Sequence, residues 1–186
     1  MKCEKYWPEV GTAMEFGDLK ITTTSEESVA EVPGLIKRRL EIQAGIGAYT
    51  HSVVQYHYVD WPDFGAPKNA KPLVDLVKMV RQDLSSLRGV CLVHCSAGVG
   101  RTGTMIALNK IIEDIEGGNQ EIDIFKTVLD LRSDRVLMVQ SSRQYDFLHK
   151  CIEHFLGPIN GDTTIVEHTY VNIDAQGFEN IELDDV

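Results

Sequence analysis

A cysteine and an arginine bracket a short loop of small residues near the middle of the chain. The stretch reads His94-Cys95-Ser96-Ala97-Gly98-Val99-Gly100-Arg101-Thr102-Gly103. Gly98 and Gly100 allow the loop to curl so that its amides converge, as in the backbone nests that bind phosphate. The planar guanidinium of Arg101 can hold two phosphate oxygens. A thiol in that field ionises readily, so Cys95 is predicted to be a nucleophile beneath an oxyanion cradle.

The sequence on either side predicts a strand that ends at this loop and a helix that begins from it. The continuous apolar run from Gly89 to Val93 is typical of a short buried strand. From Thr102 onward, apolar residues recur at helical spacing until Gly117 and Gly118 end the helix. The loop therefore leads into a helix N-terminus, where unpaired N–H groups and the helix dipole favour anions.

The remaining pattern mixes strands and helices, which predicts an α/β fold. Three antiparallel strands are predicted at Leu19 to Thr24, Leu35 to Gln43 and Val53 to Tyr58. Three further helices are predicted from about Pro72 to Leu87, after the capping residue Asp123, and from about Ser142 to Phe155. The charged run Lys37-Arg38-Arg39 is interpreted as a solvent-exposed strand face.

Composition limits the classes of function. The 186 residues include 18 basic and 28 acidic side chains, and the net charge of −10 argues against a polyanion-binding protein. The four cysteines show no metal-ligand spacing, and the lack of a dense disulfide framework favours a reducing compartment; Cys91 and Cys151 are interpreted as core residues. No apolar run is long enough to cross a membrane, and the polar start is not a signal peptide. A cytoplasmic location is therefore expected.

The chain end differs from the rest in charge. Residues 1–157 are predicted to form one domain, and 158–186 are predicted to be an acidic, flexible tail without packed elements, since Lys and Arg are absent from Asn160 onward. Tyr170 lies there in an acidic context. Three interpretations stay open: an incidental tyrosine, a phosphorylation site read by an adaptor domain, or part of a segment that docks in a groove of the domain.

Two further motifs accompany the cysteine loop: Trp61-Pro62-Asp63 upstream, and Gln140 with Gln144-Tyr145 downstream. In this order the three motifs resemble the catalytic domain of classical protein tyrosine phosphatases, over about residues 1 to 157. An HCx5R loop alone would also fit dual-specificity and lipid phosphatases. The resemblance implies a twisted mixed sheet flanked by helices, phosphotyrosine-containing proteins as partners, and catalysis without a metal or other cofactor.

The resemblance also implies roles for individual residues. Cys95 would attack phosphorus to form a phosphocysteine, and Asp63 would protonate the leaving phenolate. In the second step Asp63 would become the base for a water that Gln140 orients. Supporting roles fall to Gln144 beside that water, to Thr102 at the thiolate, to His94 in orienting the loop and to Trp61 at the hinge of the Asp63 loop. Substrate would contact Ser96, Ala97, Gly98, Val99, Gly100, Arg101 and Phe64.

One departure from the family pattern keeps alternatives open. The block that precedes this starting point in the family, with the loop that grips the phosphotyrosine ring, has no counterpart in the sequence. The core is therefore expected to be incomplete and ring-depth selectivity to be weakened. An active tyrosine phosphatase is the first hypothesis, because binding alone needs neither Asp63 nor Gln140. A non-catalytic phosphotyrosine-binding or regulatory module is the second, and a dual-specificity phosphatase is the third.

Overall fold

The computed structural model describes residues 4–45, 49–62, 65–86, 89–157 and 164–166. Two units are present, one up to Trp61 and one from Pro62 onward. The first unit carries a four-stranded sheet, and the second carries four helices and a two-stranded parallel sheet. The predicted α/β class is confirmed, with an antiparallel main sheet.

The sheet of the first unit runs in the order β1-β2-β3-β4. Its strands are β1 at Ala13–Phe16, β2 at Leu19–Ser28, β3 at Leu35–Ala44 and β4 at Thr50–Tyr58. The three predicted strands are confirmed and are longer than predicted, whereas β1 was not predicted. Phe16 pairs with Leu19 across a two-residue turn, in which Gly17 has a φ of 59°. This left-handed conformation suits glycine and a tight hairpin, and it turns β1 back along β2.

The interpretation of the charged run on β3 as a solvent-exposed face is wrong for Arg38. Its side chain is buried and forms an ion pair with Glu26 on β2. On β4 it donates to Gln55 Oε1 at 2.9 Å and lies 3.0 Å from His57 Nδ1. The Trp7 ring covers the guanidinium at 4.8 Å. These partners offset the cost of burying a charge, and they could not be read from the run itself because they come from two neighbouring strands and a distant aromatic.

All four predicted helices are confirmed in the second unit. They are α1 at Lys71–Ser86, α2 at Gly100–Glu116, α3 at Ile124–Asp134 and α4 at Ser142–Leu156. The predicted cap is also present, since the Asp123 carboxylate accepts a hydrogen bond from Lys126 N at 2.8 Å. Helix α2 packs against the other three helices and buries Leu108, Ile111 and Ile112. Leu87, predicted on the apolar face of α1, lies outside the described residues.

The prediction of a buried strand from Gly89 to Val93 is wrong. Residues 89–95 form no strand, and Val90 and Leu92 are 99% and 85% exposed. Cys91, interpreted as a core residue, is exposed as well, whereas Cys151 is buried as predicted. An apolar run becomes a buried strand only where a neighbouring strand satisfies its backbone, and no strand among the second unit's described residues pairs with this segment.

Part of the predicted tail does form a packed element. Strand β5, Glu121–Ile122, pairs in parallel with β6, Thr164–Ile165. The amide of Val166 donates to the carbonyl oxygen of Ile122 at 2.9 Å. Residues 164–166 therefore depart from the predicted flexible tail, and the rest of 158–186, including Tyr170, lies outside the described residues. Among the described helices, none has the length and apolar character that a membrane span requires.

Candidate active site

The cysteine loop leads directly into the N-terminus of α2, as its sequence predicts. The helix begins at Gly100, and no side chain caps it through a hydrogen bond at the N-cap residue Val99. Gly98 has a φ of 73°, a left-handed conformation that turns its amide toward the cysteine, and Gly98 N donates to Cys95 Sγ at 3.2 Å. The loop thus presents backbone N–H groups and the positive end of a helix to the sulfur and to any anion beside it.

The Cys95 thiol is more acidic than an ordinary cysteine. Burial opposes its ionisation most strongly, but the Thr102 hydroxyl and the N–H groups of Thr102, Gly98 and Val99 together outweigh that effect. The pKa of Cys95 is lowered from 9.0 to about 7. Cys151 shows the opposite case, because burial without such donors raises its pKa to about 12. The loop therefore keeps a substantial fraction of Cys95 as thiolate near neutral pH.

The Thr102 hydroxyl is not engaged by another described group and can act on the Cys95 sulfur. The side chain is buried, and its Oγ1 forms no hydrogen bond of normal geometry within the part of the chain that the structure describes. Its effect on the Cys95 pKa is therefore that of a nearby dipole able to turn toward the thiolate, not of a bond already formed. A buried hydroxyl without a partner costs stability, so its placement here favours a role toward the thiolate.

Two arginines fix the loop from different sides. Arg101 donates from its NH2 group to the carbonyl oxygen of Pro62 at 3.3 Å, which ties the guanidinium to the segment just before Asp63. Arg135, beyond the end of α3, donates to the carbonyl oxygen of Ala97 at 3.0 Å. Arg135 thus engages a carbonyl oxygen of the loop, while the amides of Gly98, Val99 and Thr102 act on the Cys95 sulfur.

The two predicted glutamines lie against the start of α2. Gln144 Oε1 accepts a hydrogen bond from Gln140 N at 2.9 Å, so the second glutamine orients the first. A methyl group added to Gly100 would stand 2.9 Å from Gln144 Nε2 and 3.3 Å from Gln140 Oε1. Glycine at position 100 therefore lets both side-chain amides approach the backbone at the start of α2. Their predicted roles at a hydrolytic water stay predictions, and this position is compatible with them.

A further contact joins α2 to the segment that carries Gln140. A methyl group on Gly103 would lie 2.3 Å from Val139 N, and Val139 N donates to the carbonyl oxygen of Val99 at 3.2 Å. Val139 has a φ of 56° and Leu137 a φ of 65°, conformations that are unfavourable for branched and bulky side chains. The close packing of this segment on α2 holds the strained backbone in place.

Arg132 supports the same segment and was not identified from the sequence. It donates from Nε to the carbonyl oxygen of Met138 at 2.9 Å and from NH2 to that of Val139 at 2.8 Å. Arg135, which holds Ala97, was missed as well. Both arginines flank the predicted break after α3, and a basic residue near a helix end has an ordinary explanation in the helix dipole. The tertiary contacts that give them another role leave no signal in local spacing.

The remaining predicted residues differ in what the structure shows of them. His94 Nδ1 lies 3.2 Å from the carbonyl oxygen of Cys95, within reach of the predicted role in orienting the loop. Trp61 is buried and belongs to the first unit. Asp63 and Phe64 lie outside the described residues, so their roles as general acid and ring contact rest on the sequence. Cys95, Arg101, Thr102, Gln140 and Gln144 are brought together around the N-terminus of α2.

Comparison with known proteins accounts for this arrangement. The family model for protein-tyrosine phosphatase matches residues 1–154. The chain is 38% identical over 157 residues to Tyrosine-protein phosphatase 69D of Drosophila melanogaster, an alignment that covers 81% of the chain and 10% of that protein. It is 37% identical over 185 residues to human Receptor-type tyrosine-protein phosphatase H, covering 97% of the chain and 16% of that protein. It is 40% identical over 153 residues to human Phosphatidylinositol phosphatase PTPRQ, covering 82% of the chain and 6% of that protein.

The chain spans only a small part of each relative's length: 10% of the Drosophila protein, 16% of human Receptor-type tyrosine-protein phosphatase H and 6% of human PTPRQ. The family match runs from residue 1 to residue 154 and therefore includes the cysteine loop, α2 and the glutamine segment. By its motifs, by the geometry around Cys95 and by the match over most of its length, this chain belongs to the protein-tyrosine phosphatase family.

Proposed function

We propose that the chain hydrolyses phosphotyrosine in proteins or peptides through a phosphocysteine intermediate. The observation that carries the proposal is the Cys95 thiol at the N-terminus of α2, with its pKa held at about 7 by hydrogen bonding. A thiolate beneath converging amides and beside Arg101 is suited to attack a tetrahedral phosphorus whose equatorial oxygens carry charge.

The reaction divides into two displacements. In the first, the Cys95 sulfur forms a bond to phosphorus while the bond to the tyrosine oxygen breaks, and Asp63 gives its proton to the leaving phenolate. In the second, a water oriented by Gln140 attacks phosphorus, Asp63 takes the proton, and the S–P bond breaks to release inorganic phosphate and restore the thiolate. Arg101 and the loop amides stabilise the phosphoryl oxygens in both steps.

A cytoplasmic location and a part in signalling belong to the same proposal. A thiolate nucleophile has to stay reduced, which a reducing compartment ensures. Phosphotyrosine-containing proteins are then the expected partners. The exposed Cys91 also fits such a compartment, because a free surface thiol is prone to oxidation elsewhere.

The test replaces Cys95 with serine and compares the variant with Cys91→Ser, a matched exchange in the same segment. Serine is not ionised near neutral pH, so Cys95→Ser should lose hydrolysis of a phosphotyrosine peptide while still binding it, whereas Cys91→Ser should keep both. Phosphate release and peptide binding are measured side by side. Hydrolysis by Cys95→Ser at a rate close to that of the unsubstituted chain would refute the nucleophile assignment.

The same assay separates the alternative functions. Binding of the phosphotyrosine peptide by the unsubstituted chain without turnover would identify a non-catalytic binding module. Equal turnover of a phosphoserine peptide would identify a dual-specificity enzyme. The similarity to a protein named as a phosphatidylinositol phosphatase makes a phosphoinositide the second candidate substrate, and faster release of phosphate from short-chain phosphoinositides than from the peptide would favour it.

A further inference from the structure

Arg143 extends along the segment that follows Asp63 and Phe64. It is the second residue of α4, directly after the helix start at Ser142, and its side chain is exposed. A methyl group placed on Gly65 would lie 3.5 Å from Arg143 Cδ and 3.9 Å from its NH1 group. Gly65 has a φ of 108° and no side chain, so the arginine stem passes directly over its backbone. The guanidinium thus stands beside Gly65, which follows the predicted general acid by two positions in the sequence.

Arg143 differs from the other arginines of this region in its partners within the described structure. Arg101 binds the carbonyl oxygen of Pro62, Arg132 those of Met138 and Val139, and Arg135 that of Ala97. Arg143, by contrast, forms no hydrogen bond or ion pair with any residue that the structure describes. Its position also brings the helix no benefit, because a cation in the first turn of α4 is repelled by the positive end of the helix dipole. Stability does not explain an arginine here.

We propose that Arg143 is a substrate-specificity residue, which pairs with an acidic side chain near the phosphotyrosine of a peptide substrate. The inference rests on the proposed function and adds a preference to it. Neighbouring Gln140 and Gln144 lie against the loop that holds the phosphate, so a group beside Arg143 is within a few residues of the bound phosphotyrosine. The chain carries a net charge of −10, which by itself repels acidic peptides, so a guanidinium without a partner among the described residues adds a local attraction for them at this place.

The experiment uses two phosphotyrosine peptides that differ only in having glutamate or glutamine at the positions flanking the phosphotyrosine. The quantity measured is the ratio of kcat/KM for the acidic peptide to that for the neutral one. Arg143→Ala should lower this ratio about two- to five-fold, the range expected for one exposed ion pair. Arg143→Glu should lower it further by repulsion, and added salt should shrink both effects. Lys150→Ala, an exposed charge on the same helix, is the matched control and should leave the ratio unchanged.

Several outcomes would overturn the inference. An equal loss on both peptides would show that Arg143 positions the segment around Gly65 instead of reading the substrate. An unchanged ratio of kcat/KM between the two peptides would show that Arg143 does not contribute to substrate specificity. A preserved peptide ratio together with weaker turnover of a phosphoinositide bearing a second phosphate would assign the anion to a lipid headgroup.

Failure of the proposed function is kept separate by a binding measurement. The two peptides are also titrated into Cys95→Ser and into Cys95→Ser combined with Arg143→Ala. If the unsubstituted chain turns over neither peptide, the proposed hydrolysis fails, and the specificity inference is still decided by whether the acidic peptide binds more tightly only when Arg143 is present.

Discussion

The two sides of the cysteine loop differ in how they are held. Downstream, Val99, Gly100 and Gly103 are buried, and α2 meets the segment of Met138 and Val139 at backbone contact distance. Upstream, residues 89–94 have no regular secondary structure and are largely exposed, and no backbone hydrogen bond joins 89–93 to another described residue. The geometry that acidifies Cys95 is therefore built from the downstream side, since all of its donors, Gly98, Val99 and Thr102, follow the cysteine.

The comparison shows which contacts hold the cysteine loop within the second unit. Gly100 and Gly103 permit the close approach, Arg132 holds the carbonyl oxygens of Met138 and Val139, and Arg135 holds that of Ala97 in the loop. None of these contacts involves the segment before the cysteine. A loop of this kind can thus keep its amide cradle without a paired strand leading into it, provided that its helix and the glutamine segment stay locked together.

The largest expected effect comes from disrupting the close packing of α2 on the segment of Met138 and Val139. Gly103→Ala places a methyl group 2.3 Å from Val139 N, and a backbone atom cannot move aside as a flexible side chain would. Overpacking of this kind costs about 3 kcal/mol in the free energy of unfolding. Catalysis should fall with it, because Gln140 follows Val139 directly. Chemical denaturation and phosphate release measure the two losses.

The matched exchange lies on the exposed side of the loop. Gly89→Ala adds a methyl group with nothing within 4 Å, so its effect on unfolding should stay within about 0.5 kcal/mol and activity should be kept. If the two alanine variants lose equal stability, the packed and exposed sides do not differ as the structure indicates.

The sequence predicted those parts of the molecule that depend on local pattern. Apolar spacing located all four helices, and Asp123 marked a helix start through its capping chemistry. The residues around Cys95 followed from the chemistry of a thiol, a guanidinium and glycines at a helix N-terminus. The family resemblance then added the glutamine segment, which the fold brings to Gly100.

The remaining features depend on neighbours that are distant in sequence. The apolar run of 89–93 has the composition of a buried strand, but burial requires a partner strand and the described unit provides none. Arg38 reads as a surface charge until Trp7 and Glu26 are placed around it. Arg132 gains its role from carbonyl groups at a strained turn, where Val139 has a positive φ. Local sequence propensity carries no information on contacts between residues that are distant in the sequence.

An intermediate effect is expected from Thr102→Val. This exchange removes a hydroxyl from the downstream side of the loop and keeps the volume of the side chain, so it tests the acidity of Cys95 apart from the packing. Removing the hydroxyl should raise the pKa of Cys95 from about 7 toward 9.0. The acidic limb of the pH–rate profile should then move to higher pH, with the thiolate fraction below the pKa falling about ten-fold for each unit. Thr102 Oγ1 has no hydrogen-bond partner among described residues, so stability should be unchanged or raised.

The control for that exchange is Thr104→Val, two residues further along α2. Thr104 Oγ1 donates to the carbonyl oxygen of Gly100 at 3.0 Å and is fully buried. Its loss should cost about 1 kcal/mol in unfolding free energy and leave the pH–rate profile in place. A shift of the profile by Thr104→Val, or its absence with Thr102→Val, would contradict the assignment of the hydroxyl to the thiolate.

The smallest expected effect is on the exposed side. Val90→Ser exchanges an apolar for a polar side chain where 99% of the residue is exposed, so the free energy of unfolding should change by no more than about 0.5 kcal/mol. Full burial of a valine is worth about 1.5–3 kcal/mol, so the same substitution distinguishes an exposed segment from the buried strand that the sequence alone predicts. Denaturation of Val90→Ser beside Val128→Ser, a valine buried on α3, provides the scale. A cost at position 90 that approaches the cost at position 128 would show that 89–93 is buried in solution, and the contrast between the two sides of the loop would no longer hold.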